Sequence, residues 1–250
     1  MEPDARGIPA VDQQLRIQRD ERIIDQTDAN RLLLRSLAHE IKNPLGGIRG
    51  AAQLLERELD RPDLSEYTQV IMNEADRLQS LMERLLTPNR APQLLLVNIH
   101  EVLERVRSVI LAEMPEALDI ARDYDVSLPL MKGDKEQLIQ ATLNVVRNAA
   151  QALEGRGSIV LRTRLARQVT LARKRYRQAL LVQVIDNGPG VPASIAEKIF
   201  YPLVSAREGG SGLGLTIAQT FVGQHGGVIQ FESVPSHTCF SLLLPLRETV

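Results

Sequence analysis

The 250-residue sequence has one cysteine, no tryptophan and only 3% aromatic residues. With Cys239 as the sole thiol, neither a disulfide framework nor a cysteine metal cluster can form within the chain. Scarce aromatics leave packing to Leu, Ile, Val and Ala, which suits helices. No apolar run approaches the roughly 18 residues that a membrane span requires. The longest candidates, "LLLV" (94–97) and "SLLLPL" (241–246), are far shorter. The opening "MEPDARGIPAVDQQ" is polar and carries two prolines, so it does not read as a signal peptide. A cytoplasmic chain with no membrane attachment is expected. Excess charge of one sign is also missing: 30 basic residues face 31 acidic ones. That balance argues against direct nucleic-acid binding, which calls for a strongly basic domain.

Helical periodicity is abundant. Residues 1–24, with Pro3, Gly7 and Pro9, read as a flexible lead-in. Further on, Leu34, Leu37, Ile41, Leu45, Ile48, Ala52, Leu55 and Leu59 recur at three- and four-residue steps and predict one amphipathic seam. "DRPDLS" (60–65) breaks it, because Pro62 cannot continue a helix and Ser65 can cap a new one. A second seam runs through Tyr67, Ile71, Ala75, Leu78, Met82 and Leu85 until "TPNRAP" marks a linker. Two such helices make a hairpin whose stripe stays half covered. A second copy would complete a four-helix bundle, so residues 25–90 are expected to form a homodimer.

From 93 to 250 the pattern changes to mixed helix and strand. "QLLLVNI" predicts a strand, "HEVLERVRSVI" a helix and "LDIARDYD" a strand, followed by a clear helix over 135–153. "SIVLRTRL" and "ALLVQVIDNG" predict strands, with the basic stretch 164–178 within or between them. A helix near "LTIAQTFVGQHG" and strands at "VIQFES" and "CFSLLLPL" close the chain. Without strict alternation, an α+β sandwich is favoured over a doubly wound sheet.

Two glycine clusters point to chemistry. "DNGPG" (186–190) follows an apolar strand, which puts Asp186 at a strand end, and "GGSGLGL" (209–215) immediately precedes a helix. Free N–H groups and the helix dipole at such a start favour a phosphate. No Gly-Lys-Ser/Thr follows, so this is not a Walker A loop. Asn144 and Asn148 lie four apart on the 135–153 helix and share a face. Their amides suit a hard cation such as Mg²⁺ carrying a nucleotide.

"NVVRNA", "DNGPGV", "IFYPLVSAREGG" and "GSGLGLTIAQ", in this order, resemble the N, G1, F and G2 boxes of the sensor histidine kinase ATP-binding domain. "LAHEIKNPLGGIRGAAQLLE" resembles the H box of the same kinases. The wording is most similar to two-component kinases of the nitrogen-regulation NtrB type, over roughly residues 32–246. The resemblance implies a helical hairpin forming a dimeric four-helix bundle, then an α+β sandwich of the histidine kinase, gyrase, Hsp90 and MutL type. It implies Mg-ATP as phosphoryl donor and His39 as acceptor. The partners it implies are the receiver domain of an NtrC-type response regulator and a PII-type signal protein.

The residues around His39 fit that role. On a helix, His39 lies roughly 160° from the apolar seam and faces solvent. One imidazole nitrogen can attack the γ-phosphorus in line while the other sheds its proton to Glu40. Pro44 cannot donate to the carbonyl of Glu40, which predicts a kink just beyond the histidine. By resemblance, Asn43 orients the water that removes phosphate from the regulator. The resemblance makes Asn148 the Mg²⁺ ligand with Asn144 in support, and Asp186 the partner of the adenine amino group. Gly188 and Gly190 let the backbone approach the base, and Gly212, Leu213 and Gly214 meet the phosphates. Arg207 is a lid cation, and Thr238 lies near the adenine. A lysine and tyrosine that follow the second asparagine in many such kinases are Gln151 and Ala152 here, leaving Arg147 to supply the phosphate contact.

Two other classes compete. An ATPase of the gyrase, Hsp90 and MutL group carries a glutamate where this chain has Asn144, so ATP is expected to be held rather than hydrolysed. A non-catalytic scaffold predicts degraded nucleotide motifs, and these are intact. His100, His225 and His237 lack metal-ligand spacing and read as structural or surface residues, with Cys239 packed in the last strand. Only 38 residues precede His39. That is too few for the PAS sensor domain usual in NtrB-type kinases.

Overall fold

The computed structural model describes residues 43–58, 62–86, 92–114, 118–171, 174–205, 207, 210 and 212–246. The 1–24 lead-in, His39, Glu40, the peptide bonds at which Pro44 would kink the helix, and the 87–91 linker lie outside the described residues, as do the side chains of Met82 and Leu85. The chain divides into two compact units, with the boundary between Ala91 and Pro92.

In the first unit, α1 (43–58) and α2 (Pro62–Leu86) form a hairpin. Arg49 Nε meets Asp76 Oδ1 at 2.7 Å, and Glu56 Oε1 accepts from Gln69 Nε2. Both contacts tie α1 to α2 in antiparallel register. The half-seam between the helices is closed by small or single residues: Leu45, Ala52, Thr68 and Ala75 are buried. Ile48, Leu55, Tyr67, Ile71 and Leu78, all predicted seam positions, are exposed in the single chain. No helix among the described residues is long and apolar enough to cross a membrane.

The second unit is an α+β sandwich. Its five-stranded sheet runs β2 (Leu118–Asp123), β4 (Gly157–Leu171), β5 (Lys174–Asp186), β7 (His237–Pro245), β6 (Val228–Val234). Only β2 and β4 are parallel. A separate pair, β1 (Leu95–Val97) and β3 (Met131–Gly133), is antiparallel. The helices are α3 (Ile99–Glu113), α4 (Lys135–Ala152), the short α5 (Ala193–Ala196) and α6 (Gly214–Gln224). One continuous core joins Val102, Leu103 and Ile110 of α3 to Leu138, Val145 and Ala149 of α4. It continues through Ile159, Val184, Leu242 and Phe240 of the sheet. The 3.6-residue spacing on the helices and the alternation on the strands supply that core from one face each.

α4 carries much of the site, and its ends are well defined. Asp134 caps it, with Oδ1 accepting from the N–H groups of Glu136 and Gln137 at 3.1 Å each. In the turn that follows its last residue, Ala152, the φ of +74° at Gly155 allows its N–H to return to the carbonyl of Ala150 at 3.1 Å. His225 fixes the other end of the helix pair: its Nε2 accepts from Asp134 N–H at 2.9 Å, and its Nδ1 meets the carbonyl of Phe221 at 2.7 Å. That accepting Nε2 places the proton on Nδ1, so this buried histidine is structural.

β3 and α5 were not predicted from sequence. Three residues of strand and a single helical turn carry no periodicity to read. Among the described residues, the basic stretch falls on the far ends of β4 and β5.

Candidate nucleotide site

Asp186 ends β5 and sits opposite Ile159 of β4 and Thr238 of β7. All three are buried. Its Oδ1 accepts from Gly188 N–H at 2.9 Å. Burial pushes its carboxyl above the usual carboxylate range, against the lowering effect of that hydrogen bond and of nearby His237. A Cβ on Gly188 would lie 2.8 Å from Asp186 Oδ1, so only glycine fits beside the carboxylate.

The turn after Asp186 is held on both sides. Asn187 Oδ1 accepts from Ser158 N–H at 2.9 Å, and the Gly188 carbonyl accepts from Ser236 N–H at 2.8 Å. Val191 N–H donates to Ser233 Oγ at 2.8 Å, and that hydroxyl lies 3.0 Å from Thr238 Oγ1. Thr238 therefore shares a hydroxyl pair with Ser233 beside Asp186, where it was expected near the adenine. Gly190, with φ +90°, packs against Ser233 and Val234. Ser233 and the N–H of Val191 escaped the sequence reading, because a serine in an exposed-looking strand segment gives no spacing signal.

α4 brings the other motifs to this turn. Near its C-terminal end, Ala152 and Leu153 approach within van der Waals reach of where a Gly188 side chain would begin. Two turns earlier, Asn144 faces Gly214 at the start of α6. From 144 to 152 the helix rises about 12 Å, so the two glycine motifs lie along one face of α4. Asn148, half-buried, lies between them. Asn144 Oδ1 accepts from Gln140 Nε2 at 3.3 Å, while its Nδ2 is buried and has no hydrogen-bond partner. α6 also starts without a side-chain cap. A lone amide donor beside an uncapped helix start suits an anionic oxygen.

Gly212 and Leu203 close the segment between them. Leu203 N–H donates to the Gly212 carbonyl at 3.1 Å, and their φ values are +64° and +63°. A Cβ on Gly212 would lie 2.5 Å from the Leu203 carbonyl carbon, so no other residue fits there. Leu213 is buried. Arg207 is exposed in this segment, its N–H donating to Ser205 Oγ at 3.0 Å.

Arg147 pairs with α3. Its Nε and Nη2 donate to the two carboxylate oxygens of Glu113 at 3.1 and 2.6 Å. This bidentate pair ties the guanidinium to α3. His100 is structural: its Nε2 lies 3.0 Å from the buried hydroxyl of Thr163, and its ring stacks on Tyr124. Cys239 is packed in β7.

The architecture is a nucleotide-binding α+β sandwich preceded by a helical hairpin. Residues 133–248 match the family of histidine kinase-, DNA gyrase B- and HSP90-like ATPases. Residues 29–93 match the His Kinase A (phospho-acceptor) domain. The sensory histidine kinase/phosphatase NtrB of Salmonella typhimurium is 51% identical over 240 residues, covering 95% of this chain and 68% of the relative. NtrB of Rhodobacter capsulatus is 45% identical over 215 residues, covering 84% of this chain and 60% of the relative. The crystal structure of full-length ShkA in complex with AMPPNP is 26% identical with a TM-score of 0.62, covering 87% of this chain and 46% of that one. The class is the two-component, ATP-dependent histidine kinases. Within it, the chain belongs to the NtrB family of sensory histidine kinase/phosphatases.

Proposed function

We propose that this chain, as a cytoplasmic homodimer, phosphorylates His39 from Mg-ATP, passes the phosphoryl group to an aspartate of an NtrC-type receiver domain, and removes it again in nitrogen regulation. A PII-type signal protein is the partner assigned to biasing the two activities. The observation that carries this reading is the arrangement along α4, with buried Asp186 at one end and the unpartnered Nδ2 of Asn144 at the other. An adenine amino group can donate to Asp186, and a phosphate oxygen can accept from Asn144 and from the start of α6. The amide oxygen of Asn148 is the protein ligand assigned to Mg²⁺. Bound Mg²⁺ would neutralise charge on the transferring phosphate.

Position 144 carries an asparagine, which cannot act as a base to activate water there, and this supports attack by an external nucleophile. A His39 ring nitrogen forms the bond to the γ-phosphorus as ADP leaves, and Glu40 takes the proton from the other nitrogen. Asn43, exposed at the start of the described part of α1, is assigned to orienting the water that hydrolyses the regulator's acyl phosphate. Arg207 and Thr238 keep their assignments as lid cation and adenine-side hydroxyl.

The test is incubation with γ-labelled ATP and Mg²⁺ beside His39→Gln. Acid-labile, alkali-stable label that vanishes in the variant supports the reading, whereas ATP bound without label on His39 overturns it. Asn43→Ala should then lose regulator dephosphorylation and keep autophosphorylation; equal loss of both would refute the division of labour.

A further inference from the structure

Three parts of the catalytic unit meet at Asp134. Its Oδ1 caps α4, and its backbone N–H donates to His225 Nε2 at 2.9 Å, which fixes the start of α4 to the end of α6. Its other carboxylate oxygen, Oδ2, accepts from the backbone N–H of Gln93 at 2.8 Å. Gln93 is the second residue past the unit boundary, where the chain arrives from the hairpin. The junction is tight: a Cβ on Gly133 would lie 2.8 Å from Leu138 Cδ1 and 3.3 Å from His225 Cδ2.

The entering strand has little else to hold it. β1 pairs with β3 over three residues, and a two-stranded ribbon of that length is marginal in water. Leu94, Leu95 and Leu96 are 45–70% exposed, and Val97 is the residue of β1 that joins the core. Leu95 sits opposite Gly133, so the bond from Gln93 to Asp134 prolongs this short ladder by one more tie. The charge on its acceptor makes that tie stronger than an ordinary ladder bond. The junction also belongs to the helix pair that carries the nucleotide site. α4 and α6 run antiparallel, with Asp134 and His225 at one end and Asn144 and Gly214 at the other. From 134 to 144 the rise along α4 is about 15 Å.

We infer that Asp134 is a positioning residue for phosphoryl transfer: its Oδ2 ties the chain entering from the hairpin to the helix pair that holds the phosphates. The role in transfer rests on the function proposed above. Transfer to a nucleophile on the other unit requires a near-attack geometry, and a misplacement of about 1 Å can cost a hundredfold in rate. A chain tied at Gln93 has less play than one that swings freely from β1, and less play raises the share of encounters that can react. Asp134 stands a helix length from the phosphate end of α4, so it acts through the chain and not on the nucleotide. Removing the tie should therefore slow transfer without altering ATP binding.

The test sets the full chain beside Asp134→Asn and Asp134→Ser. Both substitutes cap a helix as well as aspartate does, but neither keeps a second oxygen for Gln93. Amide hydrogen exchange should show the Gln93 N–H protected in the unaltered chain and released in both variants, with the Glu136 and Gln137 amides unchanged. With γ-labelled ATP at saturation, the initial rate of labelling on His39 should fall about threefold to tenfold, the range that one such hydrogen bond spans. The ATP Kd should stay within about twofold and the Tm should hold, because the cap remains. Asp134→Ala, which removes cap and tie together, should add a fall in Tm that the other two do not show. A normal labelling rate in variants that have released Gln93 would overturn the proposal, as would a Gln93 amide unprotected in the unaltered chain. A slowdown matched by weaker ATP binding or a lower Tm in Asp134→Asn and Asp134→Ser would also overturn it, by marking a structural role. Unlabelled His39 in the unaltered chain would instead overturn the proposed function, and this inference with it.

Discussion

The two units solve the problem of an apolar face in opposite ways. The catalytic unit closes its own core: Leu103, Val145, Leu161 and Leu244 are essentially inaccessible within one chain. The hairpin leaves Ile48, Leu54, Leu55, Tyr67 and Ile71 between 42% and 66% exposed. An amphipathic hairpin of two helices has too few neighbours to cover its stripe, whereas a sheet with helices on one face has enough. One unit therefore carries its stability within itself, and the other looks outward for part of its own.

The sharpest break of that contrast is a charge on the open stripe. Leu55→Glu with Ile71→Glu should cost the dimer about 3 kcal/mol or more, about a hundredfold or more in its dissociation constant. Sedimentation at graded concentrations reads this directly, and a variant that stays dimeric would show that these positions face solvent in the assembly.

Truncation within the closed unit should act on folding instead. Phe240 is 1% exposed and stacks on Phe231. Phe240→Ala should destabilise the catalytic unit by about 3–5 kcal/mol in denaturant unfolding. Leu54→Ala, at an exposed hairpin position, should change the same transition by no more than about 0.5 kcal/mol. Similar losses from both would erase the distinction between the units.

The third expectation concerns a residue whose function runs against stability. Burial raises the Asp186 pKa, so the stability linked to this group is present below the unfolded value and is lost as pH rises through the folded one. At neutral pH its ionised form therefore burdens the unliganded unit. Asp186→Asn should weaken ATP binding about tenfold or more, because the neutral amide exchanges a charge-assisted bond for a weaker one. The same variant should raise the Tm of the unliganded protein, and the gain should shrink as pH falls through the acid range. A fall in Tm would mean that the carboxylate is structurally supported rather than burdened.

Most of the architecture was legible because long elements repeat their pattern. The α4 seam, the strand before "DNGPG" and the helix after "GSGLGL" each span enough residues for periodicity to declare itself. The glycine motifs were legible for a stricter reason, since the positive φ values at Gly190 and Gly212 leave little choice of residue. What escaped was set by tertiary contact. β3 has only three residues, and Ser233 matters only because β6 returns beside the turn at Val191. The basic stretch was visible as charge, but only strand register shows that it leaves the sheet.

Arg147 shows the same limit within α4, where sequence placed it one residue from Asn148 and suggested a phosphate contact. Position along a helix does not tell which neighbour a long side chain finds, and here Glu113 of α3 offers both carboxylate oxygens. The pair is a third or more exposed on each side, so its contribution is small: Arg147→Ala should cost no more than about 1 kcal/mol in unfolding. It should also leave the ATP KM within about twofold, since removal of uniform binding would raise KM directly. Glu113→Ala distinguishes the roles further, because it frees the guanidinium while leaving Asn144 and Asn148 in place. If Arg147 is purely an α3–α4 tie, both variants lose the same small stability and neither alters nucleotide affinity. A rise in KM confined to Arg147→Ala would return this arginine to the phosphates.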